Sequence, residues 1–161
     1  MVLFLDIDGP VIDLATYKAT PYISHFRVSG NTTAIKNIVK LCVDFDLKIV
    51  TNSTHNYYDV YDADLRDDLV RWGIPESCFH NDWRTVFPEV DYKKIKSPVR
   101  GIGRLYAIHE WLAEHPGYDW ICFDDRKFTD DNRLIHIKRL DGVDDVYYKQ
   151  AAEVITALRG K

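Results

Sequence analysis

The length, composition and charge of this chain exclude several classes of protein. Its 161 residues, 46% hydrophobic and 13% aromatic, can build one sizeable core, so we expect a single domain over residues 1–161. The apolar runs are shorter than the roughly 18–20 residues that cross a bilayer, and the first residues contain neither a basic leader nor a small-residue cleavage site. We therefore expect a cytoplasmic protein with no membrane partner. A net charge of −4 argues against a protein that coats nucleic acid through bulk electrostatics.

The cysteines predict buried thiols rather than cross-links or metal ligands. They are odd in number, widely spaced and set among apolar residues: Cys42, Cys78 and Cys122. A disulfide framework or a Cys/His zinc site is usually signalled by paired or closely spaced ligands. We expect reduced cysteines in the core and no metal site of the Cys/His kind.

Hydrophobic spacing along the chain predicts strands that alternate with helices. The predicted strands are short apolar runs at residues 2–6, 47–51, near 78–79, 119–124 and 134–140. The predicted helices carry apolar residues at helical spacing over residues 31–46, 59–72, 105–112 and 148–158. Residues 81–103 show no regular period, and we expect them to be irregular.

This alternation predicts an α/β fold, a Rossmann-like three-layer α/β/α sandwich with a mainly parallel five-stranded sheet. In such folds, ligands bind beyond the carboxyl ends of the strands. The polar or acidic residues at the ends of three predicted strands are Asp6 and Asp8, Thr51 and Ser53, and Asp124 and Asp125. We expect all of them to meet at one edge of the sheet.

Four carboxylates at one edge would repel each other unless a cation neutralised them. Hard oxygen ligands, with neither imidazole nor thiolate among them, indicate Mg²⁺. A carboxylate in such a site can attack phosphorus, and a second can protonate the leaving oxygen and later activate water. Because residues two apart face the same way in a regular strand, the chain must turn at Gly9 for Asp6 and Asp8 to differ in role.

The same residues resemble the motifs of haloacid-dehalogenase-type (HAD) phosphatases. FLDIDGPV is similar to the first motif, KIVTNS to the second and WICFDD to the acidic fourth, so the resemblance runs from residue 2 to about 131. It implies a HAD-like hydrolase domain in which Asp6 is the nucleophile and a metal ligand. Asp8 would be the general acid/base and would bind Mg²⁺ through its backbone carbonyl. Asp124 and Asp125 would complete the metal site.

The resemblance also implies residues that contact the substrate. Thr51 would hydrogen-bond the phosphoryl oxygens, and a Lys or Arg of the third motif would balance their charge. Lys96, Arg100 and Arg104 are the candidates for that motif, and we choose Arg104 because it opens the predicted helix before the fourth strand. Further residues expected to contact substrate are Asn52, Ser53, Lys96, Arg100 and Arg126.

Two features bear on the substrate. The segment from Arg100 to Asp125 is similar to the HAD domain of multi-domain RNA-repair proteins, and CFDDR is similar to the fourth motif of polynucleotide 3'-phosphatases and 5'(3')-deoxyribonucleotidases. The stretches between motifs are too short for a folded cap, so we expect a minimal cap or none and an open site. A basic run with no acid, Lys93 to Arg104, is predicted to be a loop that could follow a nucleic-acid backbone.

We therefore expect a Mg²⁺-dependent phosphomonoesterase that uses an aspartyl-phosphate and removes a terminal phosphate from a nucleotide or a nucleic-acid end. A phosphatase for a phosphorylated small metabolite, a phosphotransferase and a non-catalytic interaction domain of the same fold are the alternatives. A non-catalytic domain would have no reason to keep both Asp6 and Asp8. The oligomeric state cannot be read from the sequence.

Overall fold

The computed structural model describes residues 1–19, 22–23, 26–27, 30–57, 62–86, 97–138 and 141–160. The strands within this part are β1 (Val2–Leu5), β2 (Tyr22–Ile23), β3 (Phe26–Arg27), β4 (Lys48–Thr51), β5 (Phe79–Arg84), β6 (Trp120–Asp124) and β7 (Leu134–His136). Five of them form one parallel sheet in the order β5-β4-β1-β6-β7. Strands β2 and β3 form a separate antiparallel pair.

Helices cover both faces of the parallel sheet. They are α1 (Leu14–Ala19), α2 (Thr32–Asp44), α3 (Asp62–Trp72), α4 (Ser97–Glu114) and α5 (Asp145–Arg159), with short 3-10 turns at Thr54–Tyr57 and Glu76–Cys78. This arrangement is the predicted Rossmann-like three-layer sandwich. Among the described residues, no helix has the length and apolar character that a membrane crossing requires.

The side chains of β1 alternate between the two faces of the sheet and so contribute to two separate apolar cores. Leu3 and Leu5 face the layer that contains α2, α3 and α5, whereas Val2 and Phe4 face α4. The Phe4 ring meets Trp111 of α4 edge to face, with the ring centroids 5.6 Å apart. Burial of each of these side chains contributes about 1.5–3 kcal/mol. Because β1 is buried on both faces and lies at the centre of the sheet, the residues at its end are held rigidly.

Asn31 sets the start of α2. Its side-chain oxygen accepts hydrogen bonds from the backbone N–H groups of Thr33 and Ala34, at 2.9 and 3.0 Å. Such a cap satisfies donors that have no partner inside the helix. The cysteines Cys42, Cys78 and Cys122 are buried free thiols, as predicted.

The prediction of an irregular stretch over residues 81–103 is wrong at both ends. Residues 81–84 continue β5, and α4 begins at Ser97, so Arg104 lies about two turns inside the helix rather than at its start. Pro98 is compatible with the first turn, where its missing N–H is not needed. Each glycine inside a helix costs about 1 kcal/mol relative to alanine, and burial of Ile108 and Trp111 outweighs that cost.

The segment between the first strand and α2 holds only small elements among its described residues, namely α1 and the β2–β3 pair. The hydrophobic pattern did not predict them, because short elements carry too few apolar positions for a period to be recognised. Their size agrees with the expected minimal cap. The prediction of a basic loop from Lys93 to Arg104 is wrong from Ser97 onward, where the chain is helical, and Lys93, Lys94 and Lys96 lie outside the described residues.

Candidate active site

The ends of three neighbouring strands form the site. The Asp6 N–H donates to the Phe123 carbonyl at 2.9 Å, and the Asn52 N–H donates to the Leu5 carbonyl at 2.9 Å. These bonds continue the sheet one residue past β1 and β4. Asp6 therefore leaves the central strand between the ends of β4 and β6, where Asp124 is the last strand residue.

Three of the predicted metal ligands come together at this edge. Asp6, Asp124 and Asp125 each offer a carboxylate oxygen, and these oxygens lie within 4.8 Å of one another. Asp6 and Asp124 are fully buried, and the Asp125 side chain is 13% exposed. Such a group of carboxylates is costly unless positive charge offsets it.

Arg104 supplies part of that charge. Its Nη1 lies 2.8 Å from Asp6 Oδ2 and also pairs with the carboxylate of Asp124. The same nitrogen donates to the Asn52 carbonyl at 3.4 Å, and the side chain is 2% exposed. Helix α4 lies on the face of the sheet opposite α2, α3 and α5. It places the buried Arg104 guanidinium at the end of the central strand.

The electrostatics of the cluster follow from its burial. Burial, and then the charge on Asp6, raise the pKa of the Asp124 carboxyl well above its ordinary value, although Arg104 opposes the rise. Burial also lowers the pKa of the Arg104 guanidinium, but the charges of Asp6 and Asp124 more than reverse this and leave that pKa raised. Arg104 is therefore a permanent cation beside three acids, and the cluster favours a second cation.

The residues present fit a divalent cation with oxygen ligands. Neither carboxylate oxygen of Asp6 makes a hydrogen bond to any described residue, although both oxygens are buried. Asp6 Oδ2 forms an ion pair with Arg104 Nη1 at 2.8 Å. Burying a charged oxygen without hydrogen bonds is unfavourable, and oxygen donors alone suit Mg²⁺. Asp6, Asp124 and Asp125 could hold such an ion.

The chain turns at Gly9, as predicted. Gly9 has φ +98°, and a Cβ atom added to it would lie 2.6 Å from the Cβ of Asp125. Only glycine accepts both this backbone angle and this approach without strain. The turn separates the surroundings of the two acids: Asp6 is fully buried, whereas the Asp8 side chain is 37% exposed.

His55 is a residue of this site that sequence reasoning missed. It lies in the 3-10 turn Thr54–Tyr57, and its Nε2 is 3.2 Å from Asp8 Oδ2. The signal that could have found it is its position, directly after the second motif and therefore at the same edge of the sheet. The histidine is close enough to hold the Asp8 carboxylate or to share a proton with it.

The second motif is braced from within the protein. The Thr51 hydroxyl donates to Asn56 Oδ1 at 3.0 Å, and the Asn56 amide donates to the Thr51 carbonyl at 2.7 Å. The Asn52 Oδ1 accepts from the Thr85 hydroxyl at 2.8 Å. Ser53 is buried. The Thr51 hydroxyl also lies 3.3 Å from the Trp83 carbonyl, so it can donate to a phosphoryl oxygen only by releasing both protein acceptors.

The other predicted substrate contacts differ in position. The Arg126 N–H donates to Asp124 Oδ1 at 2.8 Å, and the Arg126 Nε lies 4.0 Å from Asp125 Oδ1. Arg126 is therefore at the rim of the acidic cluster. Arg100 lies on α4 one turn before Arg104, and Lys96 is outside the described residues.

Residues 2–145 match the family described as the HAD domain in Swiss Army Knife RNA repair proteins. The chain belongs to this family. The match spans most of the chain and includes the whole edge from Asp6 to Arg126, so it confirms the resemblance to HAD-type phosphatases and to the RNA-repair domain. No curated protein and no solved structure matches the chain. Membership supports a HAD-type phosphatase in general terms.

Proposed function

We propose that this HAD domain is a Mg²⁺-dependent phosphomonoesterase that forms an aspartyl-phosphate on Asp6. The observation that carries the proposal is the state of Asp6: a buried carboxylate at the end of the central strand, with no hydrogen bond to a described residue on either oxygen. Arg104 is paired with Asp6 Oδ2 at 2.8 Å, whereas Oδ1 has no hydrogen bond to a described residue and keeps a lone pair for nucleophilic attack. The adjacent cation of Arg104 and the acids Asp124 and Asp125 suit the charge of a phosphate ester.

The reaction has two halves. In the first, a carboxylate oxygen of Asp6 attacks phosphorus, the bond from phosphorus to the ester oxygen breaks, and Asp8 gives its proton to that oxygen. In the second, Asp8 takes a proton from water, the water oxygen attacks phosphorus, and the bond to Asp6 breaks. Phosphate leaves, and both carboxyl groups return to their starting states.

The surrounding residues support these steps. Arg104, already paired with Asp6, would bind the phosphoryl oxygens as negative charge moves over them. His55 would hold the Asp8 carboxylate through the contact at 3.2 Å. Mg²⁺, held by Asp6, Asp124, Asp125 and the backbone carbonyl of Asp8, would supply positive charge that offsets the substrate phosphate.

We further propose that the substrate is the terminal phosphate of a nucleotide or of an RNA or DNA end, and that the reaction takes place in the cytoplasm. The family description, which refers to RNA repair proteins, supports this substrate class. The elements described between β1 and α2 are small, which suits a site open to a large substrate. Reduced thiols at Cys42, Cys78 and Cys122 suit the proposed compartment.

Phosphate release from an aryl phosphate, from mononucleotides and from oligonucleotides phosphorylated at either end tests the proposal. We expect activity with Mg²⁺, loss of activity with EDTA, and no turnover with Ca²⁺, whose coordination shell is larger and looser.

Asp6→Asn should abolish hydrolysis of every substrate while the protein stays folded. Asp46→Asn is a matched control, because Asp46 is exposed and its φ of 44° suits asparagine. A folded Asp6→Asn protein with full activity would exclude the covalent route.

Asp8→Asn separates the two halves of the reaction. A good aryl leaving group needs no proton, so the phosphoenzyme should still form, but its hydrolysis should slow by roughly 10²–10⁴-fold. Rapid-quench kinetics should then show a burst and a slow steady state, and mass spectrometry should detect phosphate on Asp6. Fast steady turnover in this variant would contradict the role of Asp8. Preference for a small phosphorylated metabolite over every nucleotide would exclude the proposed substrate class.

A further inference from the structure

A second cluster of possible metal ligands lies outside the acidic edge. Asp82 of β5, Glu114 at the end of α4 and His115 just beyond it each offer a ligand atom, and these atoms lie within 4.8 Å of one another. The cluster joins residues far apart in sequence, so the spacing rules that argued against a Cys/His site could not detect it. It uses none of the residues of the proposed phosphatase reaction.

The hydrogen bonds of His115 determine which ring nitrogen faces the acids. Nδ1 lies 2.8 Å from the Trp111 carbonyl oxygen, so this nitrogen must carry a proton and donate it. In a neutral imidazole, Nε2 then has a lone pair, and Nε2 lies 3.4 Å from Asp82 Oδ2. A lone pair facing a carboxylate is repulsive unless a cation lies between them. A bond from histidine to a backbone carbonyl is the usual support for a metal-binding imidazole.

The separation of the two atoms is compatible with a shared metal ion. Charge-assisted N–H···O bonds are usually about 2.7–2.9 Å long, and 3.4 Å exceeds that range. Two ligands of a tetrahedral zinc ion, at bond lengths of about 2.0–2.1 Å, lie about 3.3–3.4 Å apart. The His115 and Asp82 atoms already have this spacing.

Surrounding aromatic residues hold two members of the cluster, the His115 ring and the backbone of Asp82. The His115 ring stacks on Trp111 with the centroids 3.9 Å apart and the planes 14° apart. The Trp111 indole N–H donates to the Asp82 carbonyl at 3.1 Å, and the Asp82 N–H donates to His80 Nδ1 at 3.1 Å. His80 Nε2 in turn faces the Tyr118 hydroxyl at 3.3 Å. These contacts hold the His115 ring and the Asp82 backbone in place before any ion binds, which lowers the entropic cost of binding.

We propose that Asp82, Glu114 and His115 form a zinc site with three protein ligands and a fourth position open to water. One nitrogen and two carboxylates suit Zn²⁺ better than Mg²⁺, which prefers oxygen ligands alone. The ion ties the edge strand β5 to the end of α4. It thereby stabilises the two elements that brace Thr51 and carry Arg104.

Metal titration of the full chain in saturating Mg²⁺ tests this site. We expect one Zn²⁺ to bind and to raise Tm, and Co²⁺ in its place to give the strong visible absorption of a tetrahedral ion. Glu114→Gln and Asp82→Asn should each weaken Zn²⁺ binding by about tenfold or more and remove the Co²⁺ bands. Both side chains are exposed, so both variants should fold. Glu110→Gln, an exposed acid one turn earlier on α4, is the matched control and should behave as wild type.

Two results would overturn the proposal. If the wild-type protein binds no Zn²⁺, the His115–Asp82 contact is a salt bridge of a protonated histidine. If binding survives in Glu114→Gln and Asp82→Asn but is lost in Asp124→Asn, the ion occupies the acidic edge instead. Loss of phosphatase activity alone does not test this site. The measurements that test it are the stoichiometry of Zn²⁺ binding, the Tm and the Co²⁺ spectrum.

Discussion

At the scale of single residues, Asp6 and Asp8 have different surroundings although only one residue separates them. Asp6 is buried between Arg104 and the other acids, where water does not compete for its charge. Asp8 is partly exposed beside His55, where it can exchange a proton with solvent. The turn at Gly9 produces the difference. A buried nucleophile and an exposed proton carrier are what the proposed two-step reaction needs.

Arg104 is the residue whose removal should affect stability most within this site. Arg104→Met keeps much of the volume but leaves the buried carboxylates of Asp6 and Asp124 facing each other. Removing one partner of a buried charge network costs about 3–5 kcal/mol. Because Mg²⁺ would restore positive charge, we expect the loss in free energy of unfolding to be smaller with Mg²⁺ than with EDTA. Urea unfolding under both conditions measures this difference.

Two further variants make the Arg104 result specific. Lys40→Met removes a cation from an exposed pair with Asp44 and should cost far less. Asp124→Asn added to Arg104→Met should recover part of the lost stability, because it removes one of the two repelling charges. Two results would contradict the proposed charge balance. One is an equal loss in the free energy of unfolding for Arg104→Met and Lys40→Met. The other is a loss in Arg104→Met that Mg²⁺ does not change.

At the scale of elements, the loop after β1 must pass close to the end of β6. Gly9 allows this approach, and the chain offers a matched comparison in Gly117, which has φ +93° but no atom within 4 Å of an added Cβ. Gly117→Ala should therefore show the backbone penalty alone, about 1 kcal/mol or somewhat more. Gly9→Ala should show the same penalty together with a clash against Asp125.

We expect Gly9→Ala to lose more stability than Gly117→Ala and, unlike it, to weaken Mg²⁺ binding because Asp125 is displaced. Chemical unfolding and the Mg²⁺ dependence of aryl-phosphate hydrolysis measure the two effects. If both variants lost the same stability and kept the same Mg²⁺ requirement, the close approach of this loop would not shape the metal site.

At the scale of the whole molecule, the salt dependence of turnover tests how far the protein contacts the proposed nucleic-acid substrate. The lysines that could bind phosphates beyond the terminal one are Lys93, Lys94 and Lys96. If they do so, replacing all three with alanine should flatten the salt dependence of oligonucleotide turnover. Each phosphate contact on a single strand contributes a slope of about 0.7, so the change should be about 2 in log K per log salt. Aryl-phosphate hydrolysis should be unaffected.

A second triple variant controls for net charge. Its targets are exposed lysines on other parts of the surface, Lys36, Lys138 and Lys149. We expect this variant to keep the wild-type salt slope. The wild type could instead show equal salt slopes for oligonucleotides and mononucleotides, with neither triple variant changing them. That result would indicate a small-nucleotide phosphatase.

Some features could be read from the sequence because they depend on local chemistry. The apolar runs and helical periods identified every strand of the main sheet and the four long helices, since burial on one or both faces requires those patterns. The Asp-x-Asp-Gly segment placed two acids at the end of a strand and a turn at Gly9. The predicted start of α4 is wrong, because packing of the helix against the sheet overrides the local tendency of glycine and proline to break a helix.

Hydrophobic period and motif are properties of neighbouring residues, so the amino-acid sequence alone predicts the fold class, the acids at the strand ends and the resemblance to HAD phosphatases. The contacts of the acidic residues can be identified only in the folded structure. It placed Arg104 between Asp6 and Asp124, His55 beside Asp8, and Asp82 beside His115. The reason is physical: parallel strands and crossover helices join segments distant along the chain, so the charge and hydrogen bonds of a site depend on residues that no local pattern connects.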